Sequence, residues 1–320
     1  MGAGKAVSGI HHVTAIAGDP QRNLDFYTGT LGLRLVKFTV NYDDPGTYHF
    51  YFGDGQGRPG TVLTFFPWPG APRGRSGPGQ ATAVSFLVPE GSLGFWTGRL
   101  TSQGIPFGGP VPRFDEEVVA LSDPDGLSLE LVSRAGRTAG DADDRGPVPP
   151  ECAIRGFQGI TLSLEGYERT AGVISGTLGF RPGAEKGNRF RYEAAGGGIG
   201  GTVDLVCLPS AARGRVAVGT VHHVAFRARD AQEQQGWRRR ISEAGHDVTP
   251  VIDRTYFRSI YFREPGGVLL EIATDGPGFS VDEPAGRLGS RLALPAWLEA
   301  ERSRLERILP RVRIPGASGS

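Results

Sequence analysis

The sequence predicts an α+β fold assembled from four copies of a β-α-β-β-β module, and three observations carry that reading. A Pro-x-Gly turn leading into an apolar strand with an embedded carboxylate occurs at 120–132 (ALSDPDGLSLELV) and again at 261–273 (YFREPGGVLLEIA). Upstream of each stands an alternating strand, TAVSFLV (82–88) or HHVAFRA (222–228). Between strand and turn lies a stretch with apolar residues at helical spacing that stops at a glycine. Recurrence at this length is the mark of a repeated supersecondary unit.

The elements follow in chain order. Asp19-Pro20 is an N-cap with proline in the first helical turn, and Leu24, Tyr27 and Leu31 form one stripe before Gly32. Leu93, Trp96 and Leu100 repeat the stripe before Gly104, Tyr167, Ile174 and Leu178 before Gly179, and Trp237 and Ile241 before Gly245. Short β-branched or aromatic runs come after each helix, such as GTYHFYFGD and GTVLTFF in the first unit. The modules fall at about 7–68, 80–134, 154–209 and 219–275. In chain order this gives an N-terminal pair (7–134), a small, polar, Pro/Gly-rich linker (135–150), a C-terminal pair (151–275) and an extension (276–320) ending in an amphipathic helix, PAWLEAERSRLERILP. RGRSGPG (73–79) joins modules one and two.

Composition narrows the function classes. Lys and Arg number 35 against 34 Asp and Glu, so no basic footprint for nucleic acid is present. Two cysteines, Cys152 and Cys207, make no disulfide framework, and a reduced protein is the simpler expectation. The opening MGAGKAVSGI has no long apolar core and no stretch is apolar enough to span a bilayer, so the expectation is a cytoplasmic protein with no membrane partner.

The chemistry concentrates in two doublets. His11-His12 and His222-His223 account for four of the six histidines. Aligning the modules sets His12 beside Ala83, Gly159 and His223, and sets Glu271 beside Thr64, Glu130 and Leu205. Modules one and four thus share the imidazole position, and module four adds the carboxylate. Successive strand residues face opposite sides, so one histidine of each pair faces the concave side of its sheet, with Thr14 on the face of His12. His11 and His222 begin on the other face unless the strand bulges. Two imidazoles and a carboxylate form the facial triad of non-haem Fe(II) sites, which leaves room for substrate and O2 together. A glutamate in place of Thr64 would instead point to a lyase or isomerase using a metal as Lewis acid. For the triad to form, modules one and four must adjoin, leaving two and three as a matching cavity with Glu130 unaccompanied. His49 reads as a packed strand residue and His246 as surface.

GIHHVTAIAGDPQRNLDFYTGTLGLRLVKFTVNYDD at the start and VIDRTYFRSIYFREPGGVLLEIATDGPGFSVDEP near the end resemble the vicinal oxygen chelate superfamily, and within it the hydroquinone-type ring-cleaving extradiol dioxygenases. The resemblance covers about 7–310. It implies the vicinal oxygen chelate fold, with modules paired into two open barrel-like sheets. It implies Fe(II), with Mn(II) as a substitute, held by His12, His223 and Glu271. It also implies an aromatic diol and O2 as partners, both oxygen atoms entering the product, with self-association left open. Catalytic roles would fall to His11 or His222 as proton carrier, to Arg254 for developing negative charge and to Tyr261 as hydrogen-bond donor. Thr14 and Phe257 would line the substrate, with Phe50, Phe52 and Phe65 as further aromatic candidates. Tyr256 and Arg258 stand close enough to Arg254 and Tyr261 to compete for those places. A catechol substrate, a metal-dependent lyase, isomerase or thiol transferase, and a metal-free drug-binding protein are the alternatives.

Overall fold

The computed structural model describes residues 6–136 and 146–314. Most of the 135–150 linker therefore lies outside the described residues. Among the described residues sixteen strands form two eight-stranded sheets. Module one contributes β1 (Ile10–Ala17), β2 (Arg34–Asn41), β3 (Asp44–Gly53) and β4 (Val62–Pro67), and module two β5 (Gln80–Val88), β6 (Phe107–Arg113), β7 (Glu116–Ser122) and β8 (Ser128–Arg134). Module three gives β9 (Phe157–Leu164), β10 (Arg181–Lys186), β11 (Arg189–Glu193) and β12 (Thr202–Cys207). Module four gives β13 (Thr220–Ala228), β14 (Ile252–Asp253), β15 (Arg258–Arg263) and β16 (Leu269–Thr274).

The first sheet runs β14-β15-β16-β13-β1-β4-β3-β2 and the second β10-β11-β12-β9-β5-β8-β7-β6. Modules one and four, most distant in sequence, therefore share one sheet, and two and three share the other. Each is a curled half-barrel. The two crossings between sheets run side by side, Arg73 bridging Val218 and Arg75 bridging Arg215. Glycine is needed there, because a Cβ at Gly77 would sit 2.4 Å from the Ala212 carbonyl oxygen.

Each module's helix covers the convex side of its sheet. The helices are α1 (Pro20–Leu24), α2 (Leu93–Ser102), α3 (Glu168–Ala171) and α4 (Ala231–Glu243). Asp19 caps α1 by accepting from the Arg22 amide, and Asp230 does the same for Glu233 in α4. All four stop glycines, Gly32, Gly104, Gly179 and Gly245, have the positive φ that ends a helix cheaply. The helices of modules one and three differ from expectation: after α1 and α3 the coil widens to π geometry over Asp25–Thr30 and Gly172–Thr177. The stripe residues Leu24, Tyr27 and Leu31 remain buried, so the apolar spacing carries no trace of the extra residue per turn.

The extension is less helical than expected. A 3₁₀ stretch, Ala296–Glu301, precedes α5 (Arg302–Ile308), and Leu298, Leu305 and Leu309 dock on the core. Its earlier part fills the concave side of the first sheet. Phe279 and Leu288 pack with Val36, Tyr51, Val62, Tyr256 and Phe257. Lys37, fully buried on β2, reaches Asp282 Oδ1 at 2.6 Å, also bonds Glu283, and lies 4.7 Å from the Tyr256 ring centre. Among the described residues no helix is long and apolar enough to cross a membrane.

The matching cavity of the second sheet is filled. Arg191 bonds Glu116 at 2.6 Å and Asp204 at 2.8 Å, while Arg113 bonds Glu130 at 2.7 Å. Glu130 is thus accompanied, by Arg113 and by the Ser85 hydroxyl. The strand register also corrects the alignment of modules. Thr14 pairs with Thr64 and Thr161 with Asp204, so the counterpart of Thr64 is Asp204, one residue before Leu205.

Lys37→Met leaves the Glu283 carboxylate buried without its cation and should destabilise the protein by roughly 3–5 kcal/mol in urea unfolding. Adding Glu283→Leu should recover most of that loss. A single variant as stable as the parent contradicts the clamp.

Candidate metal centre

The site forms where β1 runs antiparallel to β13. Along this seam Ile10 pairs with Phe226 and His12 with Ala225, and later Thr14 pairs with His223 and Ala15 with Val221. His11 and His222 are skipped: each is the extra residue of a β-bulge. In regular strands each doublet would split across the two faces. The bulges instead set the rings of each doublet together, with Nδ1–Nδ1 separations of 2.9 Å for His11 and His12 and 2.8 Å for His222 and His223.

Strand β16 lies parallel to β13 and pairs Glu271 with Ala225. His12, Ala225 and Glu271 therefore stand in one row across three strands, with His223 two residues from Ala225 on the same face. Glu271 Oε2 lies 3.0 Å from His223 Nε2 and 3.4 Å from His12 Nε2. One donor atom from each of His12, His223 and Glu271 falls within 4.8 Å of the others, a spacing that fits a single metal ion. Glu271 is fully buried, and neither of its oxygens makes a hydrogen bond of acceptable geometry among the described residues. Burial alone would raise its pKa, but the neighbouring His12 and His223 hold it well below the usual carboxylate range. A buried, ionised and unsatisfied carboxylate beside two imidazoles is what a cation would complete. The donor set fits a divalent metal.

Hydrogen bonding fixes which nitrogen of His12 faces the space between the three donors. His11 Nε2 lies 3.1 Å from the Thr274 carbonyl oxygen, which can only accept, so Nε2 carries the proton. Burial, then the charge of His12, holds the His11 pKa well below its ordinary value, so the ring is neutral and its Nδ1 accepts. His12 must then donate from Nδ1, which leaves the Nε2 lone pair directed at the space beside Glu271, where an ion would sit. His11 is an orienting partner of the kind that metal-bound histidines use. His222 has no carbonyl partner among the described residues and lines the open cavity. Burial, then His223, depresses it to about 3, so it too is neutral at working pH and does not titrate near 7 as a free imidazole would.

The cavity in front of the triad has a volume of about 260 Å³. Thr14, Phe257, Arg254 and Tyr261 line it, as expected, but His11 does not. Tyr261 is the cross-strand partner of Glu271, and its hydroxyl lies 3.3 Å from Arg254 Nε. Arg254 also bonds Asp43 of module one at 3.0 Å, across the mouth. Tyr256 and Arg258 are excluded: Tyr256 turns to Asp282 and Arg258 is exposed. Thr255, at φ 69, breaks the alternation that would otherwise set Arg254 and Tyr256 on one face.

Phe50, Phe52 and Phe65 do not line the cavity. They pack on the convex side, Phe52 and Phe65 against Tyr27. The intervening residues His49, Tyr51, Thr64 and Phe66 face the site instead. Alternation carried the signal, because Thr64 pairs with Thr14 and Tyr51 with Thr64. His49, read from sequence as packing, bonds Thr64 Oγ1 and the Tyr51 hydroxyl, both at 2.9 Å.

His11→Phe, which spares all three donors, should weaken metal binding about 10- to 100-fold in a competitive chelator titration. Unchanged affinity would remove His11 from its orienting role. Because His223 and Glu271 are both held below their ordinary pKa, protons compete weakly for the site. Metal content should stay level from about pH 8 down to about pH 6, and half-loss at the free imidazole midpoint would contradict the geometry.

Residues 9–131 and 165–272 match the model of the Glyoxalase/Bleomycin resistance protein/Dioxygenase superfamily. MhqO of Bacillus subtilis (strain 168), provisionally named a ring-cleaving dioxygenase, is 48% identical over 96% of this chain and 97% of its own. The chlorohydroquinone/hydroquinone 1,2-dioxygenase of Sphingobium indicum is 34% identical over 95% of this chain and 96% of its own. A crystal structure from Bacillus subtilis, described provisionally as a dioxygenase, superposes with a TM-score of 0.93 at 47% identity, covering 97% of this chain and 99% of that one. Maize glyoxalase I, at 14% identity and a TM-score of 0.60 over 83% of this chain and 92% of that one, shares the fold. With its paired modules, its two half-barrel sheets and near-complete coverage by these relatives, the chain belongs to the glyoxalase/bleomycin resistance protein/dioxygenase superfamily.

Proposed function

We propose that the protein is an Fe(II)-dependent ring-cleaving dioxygenase acting on a hydroquinone-type aromatic diol, with both atoms of O2 entering the product. The observation that carries this reading is the number of protein donors. Three converge, and the place where a fourth would stand is Thr64, whose hydroxyl donates to Thr14 at 2.9 Å and is bonded to His49. A three-donor facial set leaves adjacent positions for diol and O2, whereas a fourth carboxylate would favour Lewis-acid isomerisation. The full-length relative named for chlorohydroquinone and hydroquinone supports the substrate class. A metal-free binding role would leave Glu271 buried and uncompensated, a cost of several kcal/mol.

His12, His223 and Glu271 would hold the ion. When bound, ferrous iron supplies Lewis acidity toward the diol and a redox centre able to engage O2. The chain's own residues do the rest. Phe257, 4.8 Å from the His12 ring, and Phe66, 6.0 Å from His222, wall the cavity against water and match an aromatic ring in size. His222 accepts at Nδ1 from His223, whose Nε2 faces Glu271, so its own Nε2 carries the ring proton and is placed to donate a hydrogen bond to a diol or O2-derived oxygen in the cavity. The Nδ1 contact with His223 keeps the ring fixed. Tyr261 stays protonated, since burial and the nearby Glu271 charge raise its pKa, so it donates to a substrate or O2-derived oxygen. Arg254 adds positive charge behind it. Thr14 offers a hydroxyl on the face of His12.

Protein loaded anaerobically with Fe(II) should consume O2 on addition of hydroquinone and yield a ring-opened product. His223→Ala should lose iron and turnover together. Turnover persisting in an iron-free His223→Ala preparation refutes the proposal. His222→Phe should keep its iron and lose about 10²–10³-fold in kcat, the usual worth of a positioned hydrogen-bond donor. An unchanged kcat would remove His222 from the reaction.

A further inference from the structure

His49 faces the cavity with both ring nitrogens engaged. Four groups from three adjacent strands form one chain: the Tyr51 hydroxyl, His49, Thr64 and Thr14. Its polarity follows from one link. Thr64 donates its hydroxyl hydrogen to Thr14 Oγ1, so Thr64 Oγ1 must accept from His49 Nε2. Burial keeps His49 neutral, leaving Nδ1 to accept from the Tyr51 phenol, itself held protonated by burial. Thr14 accepts from Thr64 and therefore has its own hydroxyl hydrogen to give, and no protein acceptor for it occurs among the described residues. Thr14 lines the cavity two residues beyond His12, on the same face. The chain thus ends in a donor presented to whatever occupies that space.

We propose that His49 is a positioning residue: held between Tyr51 and Thr64, it fixes the Thr14 hydroxyl as a donor to the substrate oxygen that carries negative charge once the diol has ionised. The proposal rests on the ring-cleaving reading. A donor oriented in advance needs no reorganisation as charge develops, and the benefit appears in kcat more than in KM. Glutamine can stand in for the imidazole, since its carbonyl accepts from Tyr51 and its amide donates to Thr64. Phenylalanine can do neither.

The test has two arms. In the iron-loaded enzyme, His49→Phe should lower kcat about tenfold or more with KM changed less than about threefold, and His49→Gln should restore most of the loss. Thr14→Val should cost a similar factor. In the Thr14→Val background His49→Phe should cost almost nothing further, because the two act through one hydroxyl. Losses that multiply, or a glutamine variant as poor as the phenylalanine one, overturn the proposal. The second arm needs no turnover. Nitrogen-15 spectra of histidine-labelled protein, with His49 assigned through the His49→Gln variant, should show a neutral ring protonated at Nε2. A ring protonated at Nδ1 overturns the proposal even if the enzyme cleaves hydroquinone. A wild-type enzyme inert toward diols with the Nε2 tautomer in place overturns the ring-cleaving reading instead.

Discussion

The seam between β1 and β13 is the constraint on which the rest depends. It joins the first module to the fourth, and its two bulges lie at the histidine doublets. A regular antiparallel ladder through those residues would send half of the imidazoles to the helix side. With the bulges, each doublet turns one ring toward Glu271 and holds the other against it through an Nδ1–Nδ1 contact. The seam also places Ala225 between His12 and Glu271, so only a methyl group separates the two donors in their row. One pairing thus creates the sheet and the donor geometry together.

The second sheet is the natural control. It has the same strand order and corresponding bulges, at Thr82 and Gln158. Where the first sheet has imidazoles, it has Ala83 and Gly159. A Cβ at Gly159 would meet the Thr202 carbonyl oxygen at 2.4 Å, so no larger residue fits that backbone. Its carboxylates Glu130 and Asp204 survive, and the guanidinium groups of Arg113 and Arg191 occupy the space between them. The same curled scaffold thus buries negative charge in two ways. One sheet neutralises it with arginines that already belong to the chain, and the other leaves Glu271 to be matched by a cation.

Much of this was legible in the residues. The adjacency of modules one and four and the convergence of His12, His223 and Glu271 follow from repeat alignment, because equivalent positions in a repeated unit share a face. The bulges were not legible. Each strand inserts one residue that has no partner on the other, and no residue in IHHV or VHHV announces it. For the same reason alternation alone could not separate the role of His11 from that of His222; the Thr274 carbonyl does so, and it comes from a strand far along the chain. The aromatic lining was misjudged through phase. Phe50, Phe52 and Phe65 look suitable in isolation, but once Thr64 is set on the inner face, His49, Tyr51 and Phe66 must follow it and the phenylalanines must turn outward. The Arg113 and Arg191 network was hidden because its members are spread over five strands.

One ion shared by the two ends of the chain is the central claim, and iron K-edge X-ray absorption on protein loaded anaerobically with a single equivalent of Fe(II) tests it most directly. The account predicts two imidazole ligands and one carboxylate, with nitrogen and oxygen at about 2.0–2.2 Å, and loss of one imidazole contribution in His12→Ala. A first shell lacking imidazole scattering, or a wild-type spectrum with a single imidazole, would contradict it.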